Sequence, residues 1–275
     1  VRSFAGQKEK EQFMKSLLIT CGAAAALLLA GCGGSKEEAK KDEAAAPAAA
    51  TSSAAAPDEA NGATITGKVV LSGAKPAMKT LDMSANPVCA RAHTTPQKSE
   101  EVVVNDNGTL KNVFVWVKAG VPDRQWTVPT TPVLLDQTGC MYKPHVIAVM
   151  AGQNIQIKNS DTTNHNIHPL PPDNINQEWN QSQPPGSDPL MKSFPRQQIM
   201  IPVKCNIHNW MRSYINVVSH PFFAVTGDDG TFTIKGLPPG TYTIEAVHEK
   251  YNTQDQQITV APKDSKTLDF TFNGA

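Results

Sequence analysis

The fold is decided by residues 222–246. In order they contain Phe222-Phe223-Ala224-Val225-Thr226, Asp228-Asp229-Gly230, Thr231-Phe232-Thr233-Ile234, Gly236-Leu237-Pro238-Pro239-Gly240 and Thr241-Tyr242-Thr243-Ile244-Glu245-Ala246. Bulky and small side chains alternate, which is the period of a half-buried strand, and each Asp, Gly or Pro group supplies the chemistry of a sharp reversal. Residues 257–260 and 267–272 add two strands on the C-terminal side. Working back toward the N-terminus, strands are expected at 64–71, 102–104, 113–117, 133–135, 146–149, 155–159, 199–203 and 214–218, with turns at Asp106-Asn107-Gly108 and Ala151-Gly152. Residues 169–190, rich in Pro, Asn, Gln and Ser, read as a long loop. No amphipathic helix is expected after residue 62. With only 6% aromatics and 21 prolines, the chain reads as all-β.

The first part is of another kind. Lys8, Lys10 and Lys15 precede an apolar run, residues 17–30, that ends in Leu29-Ala30-Gly31-Cys32. A basic start, a short apolar stretch and small residues before a cleavage point read as a secretory signal, too short for a comfortable membrane span. Residues 1–13 read as an upstream extension, with Met14 a plausible start. The Leu-Ala-Gly-Cys ending resembles a bacterial lipoprotein signal, which implies cleavage before Cys32 and lipidation of its thiol. The expected location is the periplasmic side of a bacterial membrane or the cell surface. Gly33 is not Asp, so no inner-membrane retention signal is evident. Residues 32–61 are Ala, Glu, Lys, Ser and Pro with almost no large apolar side chain, so they are expected to form a disordered tether with a reach of about 30 Å. The full chain has no net charge; losing residues 1–31 removes four cations and two anions and leaves a mature net charge near −2. No basic cluster suited to nucleic acid is present.

Chemistry concentrates in Cys205-Asn206-Ile207-His208-Asn209-Trp210-Met211, where a thiol, an imidazole and a thioether lie within seven residues. A His₂Cys set with a weak Met marks an electron-transfer copper site, and Met is a poor zinc ligand. The second imidazole must come from elsewhere. The stretch Asn159-Ser160-Asp161-Thr162-Thr163-Asn164-His165-Asn166 offers His165 just after an expected strand. His168, three residues on, is a competing candidate.

Residues 132–218 resemble the plastocyanin–amicyanin family of cupredoxins. The likeness lies in His165-Asn166 after a strand–turn–strand unit, in Tyr142-Lys143-Pro144 and in the short Cys-x-x-His-x-x-Met loop. The resemblance implies a Greek-key sandwich holding one copper ion through His165, Cys205, His208 and Met211, with Asn166 tying the two ligand loops together. It also implies electron exchange through the edge of His208, which reaches the surface in that family. The usual Gly-x-Tyr before the ligand Cys is replaced by Ile201-Pro202-Val203-Lys204.

The segment from Asp229 to Tyr242 resembles the carboxypeptidase-regulatory-like, transthyretin-type sandwich. Gly67-Lys68-Val69 and Val113-Phe114-Val115-Trp116-Val117 fit that family's earlier strands. The expected organisation is one sandwich from 63–125 with 221–275 and a copper domain, 126–220, inserted between them, with two domains in tandem or one merged sandwich as the alternatives.

After removal of Cys21 and lipidation of Cys32, Cys89, Cys140 and Cys205 remain. In an oxidising compartment one disulfide and one special cysteine are expected. The sequence alone leaves the pairing open, but the chemistry around Cys205 favours Cys89–Cys140. His145, His220 and His248 carry the default reading of packed or surface residues, and His93 is given no role. Trp210 is either a partner contact or a cover over the metal pocket.

The functional expectation is a one-electron carrier. It is not expected to be an enzyme, since no open coordination position or catalytic base is implied. Its partner would be a redox protein such as a c-type cytochrome, an oxidase or a dehydrogenase. Copper delivery or storage is the alternative, which the scattering of the eight methionines disfavours.

Overall fold

The computed structural model describes residues 54–251 and 253–274; the signal, Cys32 and most of the expected tether lie outside them. The chain begins one sandwich, leaves it to build a second, and returns. The outward leg comprises β1 (Ala63–Ser72), a short helix α1 (Pro87–Arg91) and β2 (Phe114–Ala119). The second sandwich then takes β3 (Val133–Gln137), β4 (Tyr142–Lys143), β5 (Val146–Met150), β6 (Ile155–Asn159), β7 (His165–Pro169), β8 (Gln181–Gln183), β9 (Leu190–Lys192), β10 (Gln198–Lys204) and β11 (Arg212–Val218). The return leg is β12 (Phe223–Val225), β13 (Thr231–Leu237), β14 (Gly240–Val247), β15 (Gln254–Val260), β16 (Ser265–Thr267) and β17 (Phe270–Asn273).

In the first sandwich, β1 lies between β13 and β16, with β17 also on β1, and faces a sheet ordered β12-β2-β14-β15. The alternation in the sequence sets this register. Ile65 pairs with Ile234 and Gly67 with Phe232, so one face of the sheet is apolar. The Asp229-Gly230 turn works because Gly230 takes φ +68°, where an added Cβ would also strike the Thr109 side chain. The core gathers Ile65, Val69, Val115, Val117, Phe222, Phe232, Ile244 and Phe270 from both legs.

The second sandwich has sheets β5-β11-β10-β7-β8 and β4-β3-β6-β9. Its core includes Leu135, Tyr142, Ile147, Ile157, Ile167, Phe194, Val203 and Ile215. A third apolar cluster, Phe114, Trp116, Val218 and Val247, joins the two sandwiches. His145 of the second sandwich bonds Glu249 of the first across the same seam.

The structure corrects several sequence expectations. Residues 54–61 of the expected tether are anchored: Ala55 exchanges backbone hydrogen bonds with Gln125 and Thr127, both at 2.8 Å, and packs on the first core. Backbone pairing, which needs no large side chain, holds this stretch. Residues 102–104 make only a single bridge, Val104 to Leu110, because the turn between them leaves no length for a ladder. The polar loop contains β8 and ends at the first residue of β9. There, Gln183 gives and receives side-chain bonds with Gln137 (2.6 Å) and the Ile157 carbonyl (3.1 Å), so polar pairing stands in for apolar alternation. Met83 and Cys89, expected with the first sandwich, pack instead in the second core, drawn there by a disulfide to Cys140.

Candidate metal centre

Two adjacent strands of one sheet build the site. β7 begins at His165, and β10 ends at Lys204, one residue before Cys205; Lys204 pairs with His168 and Val203 with Pro169. The loop 205–211 then closes on itself. Met211 N donates to the His208 carbonyl at 3.0 Å, and Cys205 N donates to the Met211 carbonyl at 3.3 Å. His165, Cys205 and His208 are all buried, with their ligand atoms within 4.8 Å of one another. The two Nδ1 atoms face each other at 2.9 Å, and Cys205 Sγ lies 3.9 Å from His208 Nδ1. Met211 is wholly buried in the same apolar cluster as Cys205. His168 does not join this group: its ring bonds Asn206 (3.0 Å) and Glu178 (2.7 Å) instead.

Each donor is held from behind. Asp161 accepts from His165 Nε2 at 2.8 Å and from the backbone N–H of Gly139 and Cys140, each at 2.7 Å. This fixes the ring with Nδ1 turned inward, the support expected of a carboxylate behind an imidazole ligand. Asn166 Oδ1 accepts from Asn206 N (2.7 Å) and Cys205 Sγ (3.3 Å), while its Nδ2 donates to Asn180 (2.7 Å) and Asn206 (3.3 Å). One side chain thereby ties β7 to the Cys205 loop. Tyr142 Oη donates to the Asn166 carbonyl at 2.5 Å.

The electrostatics favour a thiolate. Burial alone would raise the Cys205 thiol, but hydrogen bonds from His165 and from nearby backbone N–H groups outweigh it and lower its pKa. Burial disfavours charge on His165, yet Asp161 and Cys205 together raise it. Burial and the neighbouring His165 both lower His208. The set thus offers two imidazoles and a thiol biased toward its ligating form, backed by a buried thioether, and this chemistry fits a soft or borderline ion.

One expectation fails here. The edge of His208 does not reach the surface. The residue is 1% exposed, and its outward Nε2 meets Asn86 Nδ2 at 2.7 Å and Cys89 Sγ at 3.6 Å. The cover is the segment around α1, held by the Cys89–Cys140 disulfide, which leaves Cys205 as the free cysteine among the described residues. Trp210 lies on His208 with ring centroids 5.1 Å apart, and its Nε1 donates to the Cys140 carbonyl at 3.0 Å. His93, given no role from the sequence, bonds the Gly139 carbonyl at 2.6 Å and secures the same cover. Asp161 was also missed; its one sequence signal was a carboxylate four residues before His165. Asn86 gave none, because its contact with His208 spans 122 residues.

The remaining histidines have structural partners. His145 bonds Glu249 and the Arg212 carbonyl (3.1 Å). His220 bonds the Val117 carbonyl (2.8 Å), and His248 accepts from Lys250 N (3.1 Å).

Residues 215–273 match the family model described as the carboxypeptidase regulatory-like domain. Comparison with curated proteins gives no match. Among solved structures, the chain is similar to a Cu-containing nitrite reductase from Thermus scotoductus SA-01, at 16% identity over 36% of this chain and 25% of that one, with a TM-score of 0.29. It is also similar to a purple cupredoxin from Nitrosopumilus maritimus (20% identity, 31% of this chain, 98% of that one, TM-score 0.26). An amicyanin variant in its Cu(I) form gives 17% identity over 38% of this chain and 97% of that one, with a TM-score of 0.28. The chain thus spans a quarter of the nitrite reductase's length and nearly all of the two smaller proteins.

Proposed function

We propose that this protein is a one-electron carrier that holds a single copper ion through His165, Cys205 and His208, with Met211 as the weak fourth donor. The observation that carries the reading is the convergence of two imidazole Nδ1 atoms and one thiol in a fully buried pocket. When bound, copper supplies a one-electron couple between Cu(I) and Cu(II). The chain's own part is to keep the donors still. Asp161 fixes His165, Asn166 fixes Cys205, and the closed 205–211 loop fixes His208. None of them needs to move when the charge changes, and the apolar cluster around Cys205 and Met211 keeps water out. Burial of every donor disfavours delivery or storage, which call for ligands that an acceptor protein can reach.

The buried Cys89–Cys140 disulfide supports an oxidising compartment. On this reading the carrier is tethered through Cys32 on the periplasmic side of a membrane or at the cell surface. There it exchanges electrons with a c-type cytochrome, an oxidase or a dehydrogenase. Protein-film voltammetry of the copper-loaded protein tests the proposal: a reversible one-electron wave supports it, and copper that is bound but electrochemically silent overturns it.

A further inference from the structure

Given that reading, an electron must cross the protein surface, and the structure restricts where. The outer edges of both imidazoles are closed. His165 Nε2 lies on the Asp161 carboxylate and the residue is fully buried. His208 Nε2 is covered by Asn86 and Cys89. The cover is held at several points: Asn86 Oδ1 caps α1 by accepting from Val88 N (3.0 Å) and Cys89 N (3.4 Å), Cys89 is bonded to Cys140, and His93 bonds the Gly139 carbonyl. No partner can touch the His208 edge while this segment is in place.

Trp210 offers another way out. Its ring packs on His208 at 5.1 Å between centroids, and it is only half-buried. Trp210 also lines a surface pocket with Leu81, Glu100, Met141, Arg212 and Tyr214, at the seam between the two sandwiches. An electron on the metal ligands meets the π-system of Trp210 across one van der Waals contact and solvent just beyond it. Asn86 in the cover is also half-buried and bonded to His208 at 2.7 Å, but it offers a single amide edge where Trp210 presents a whole π-system to the pocket.

We propose that electrons enter and leave through the ring of Trp210 in this seam pocket, and that the disulfide-held segment 83–93 shields His208 from direct contact. The two parts are tested by opposite perturbations.

In the metal-free protein, carbethoxylation of His208 by diethyl pyrocarbonate, read by peptide mass spectrometry, reports the shield. The expected result is slow modification in the native chain. It should accelerate about tenfold when the cover opens in Cys89→Ala with Cys140→Ala, or in Asn86→Ser, which keeps an acceptor for the helix cap but no longer reaches His208. In the copper-loaded protein, the Cu(I) form is oxidised by tris(phenanthroline)cobalt(III), which takes up the single electron and becomes cobalt(II). Trp210→Leu should slow this step about tenfold while leaving the visible spectrum in place. An unchanged rate in Trp210→Leu, or native His208 modified as fast as free histidine, overturns the proposal. A chain that gives no thiolate–copper spectrum fails at the earlier reading, which separates the two failures.

Discussion

The Cys89–Cys140 disulfide, both halves of which lie in the second core, covers the candidate metal site, and its removal has a calculable cost. The bridged cysteines are 51 residues apart, and the loop between them runs through β2 in the first sandwich. Releasing a loop of that length returns about 14 cal/mol/K of chain entropy to the unfolded state, about 4 kcal/mol at 25 °C. In Cys89→Ala with Cys140→Ala, the lost sulfur atoms leave a small void in a fully buried cluster, which adds about 1 kcal/mol. The assay is urea unfolding of the metal-free chain followed by tryptophan fluorescence. Trp116 and Trp126 report on the first sandwich and its seam, and Trp179 and Trp210 on the second. With an m-value of about 3 kcal/mol/M, the midpoint should fall by about 1.5 M, together for both sandwiches. A loss below about 1 kcal/mol would refute the reasoning, because residues 89–140 would then have no freedom to regain on unfolding.

Two further predictions follow from single residues. His248 is held neutral in the first sandwich, its pKa lowered to about 4 first by burial and then by the charge of His145. An unfolded imidazole ionises near 6.5, so between these values the unfolded chain binds more protons; stability is full above about 6.5 and falls by about 3 kcal/mol as the pH drops toward 4. His248→Phe should flatten that part of the stability curve, and an unchanged slope would show that another group titrates there. At Gly67, an added Cβ would sit 1.9 Å from the Leu268 carbonyl oxygen and 2.7 Å from the Phe232 ring. Gly67→Ala should therefore cost about 3 kcal/mol, visible as a lowered thermal midpoint, and a change near zero would mean that β1 and the β16–β17 link carrying Leu268 can separate cheaply.

How much was legible in the sequence depended on the range of the interaction. Strands with clean alternation, such as 231–237 and 240–247, could be read because a period of two fixes one apolar face. The loop Cys205-Asn206-Ile207-His208-Asn209-Trp210-Met211 could be read because three donors on one short turn are already neighbours in the chain. His165 was preferred over His168 through the resemblance of His165-Asn166, after a strand–turn–strand unit, to the cupredoxin pattern. The cover over His208 was hidden. Residues 81–93 carry few large apolar side chains and a five-residue helix, and their position comes from a distant disulfide and from Asn86. The expected exposure of His208 failed for the same reason: a segment about 120 residues upstream lies over a ligand edge that the loop alone leaves open. β8 was hidden too, because Gln183 is buried by amide hydrogen bonds, which leave no hydrophobic pattern to find.

The most direct test of the account is the optical and electron paramagnetic resonance spectrum of the protein after one equivalent of Cu(II), with Cys205→Ser measured alongside. The account predicts an intense thiolate-to-copper band at one copper per chain, bleached reversibly by ascorbate and absent in Cys205→Ser. Copper that binds without that band, or a band that survives Cys205→Ser, would contradict the assignment of the buried His165, Cys205 and His208 group as the metal centre.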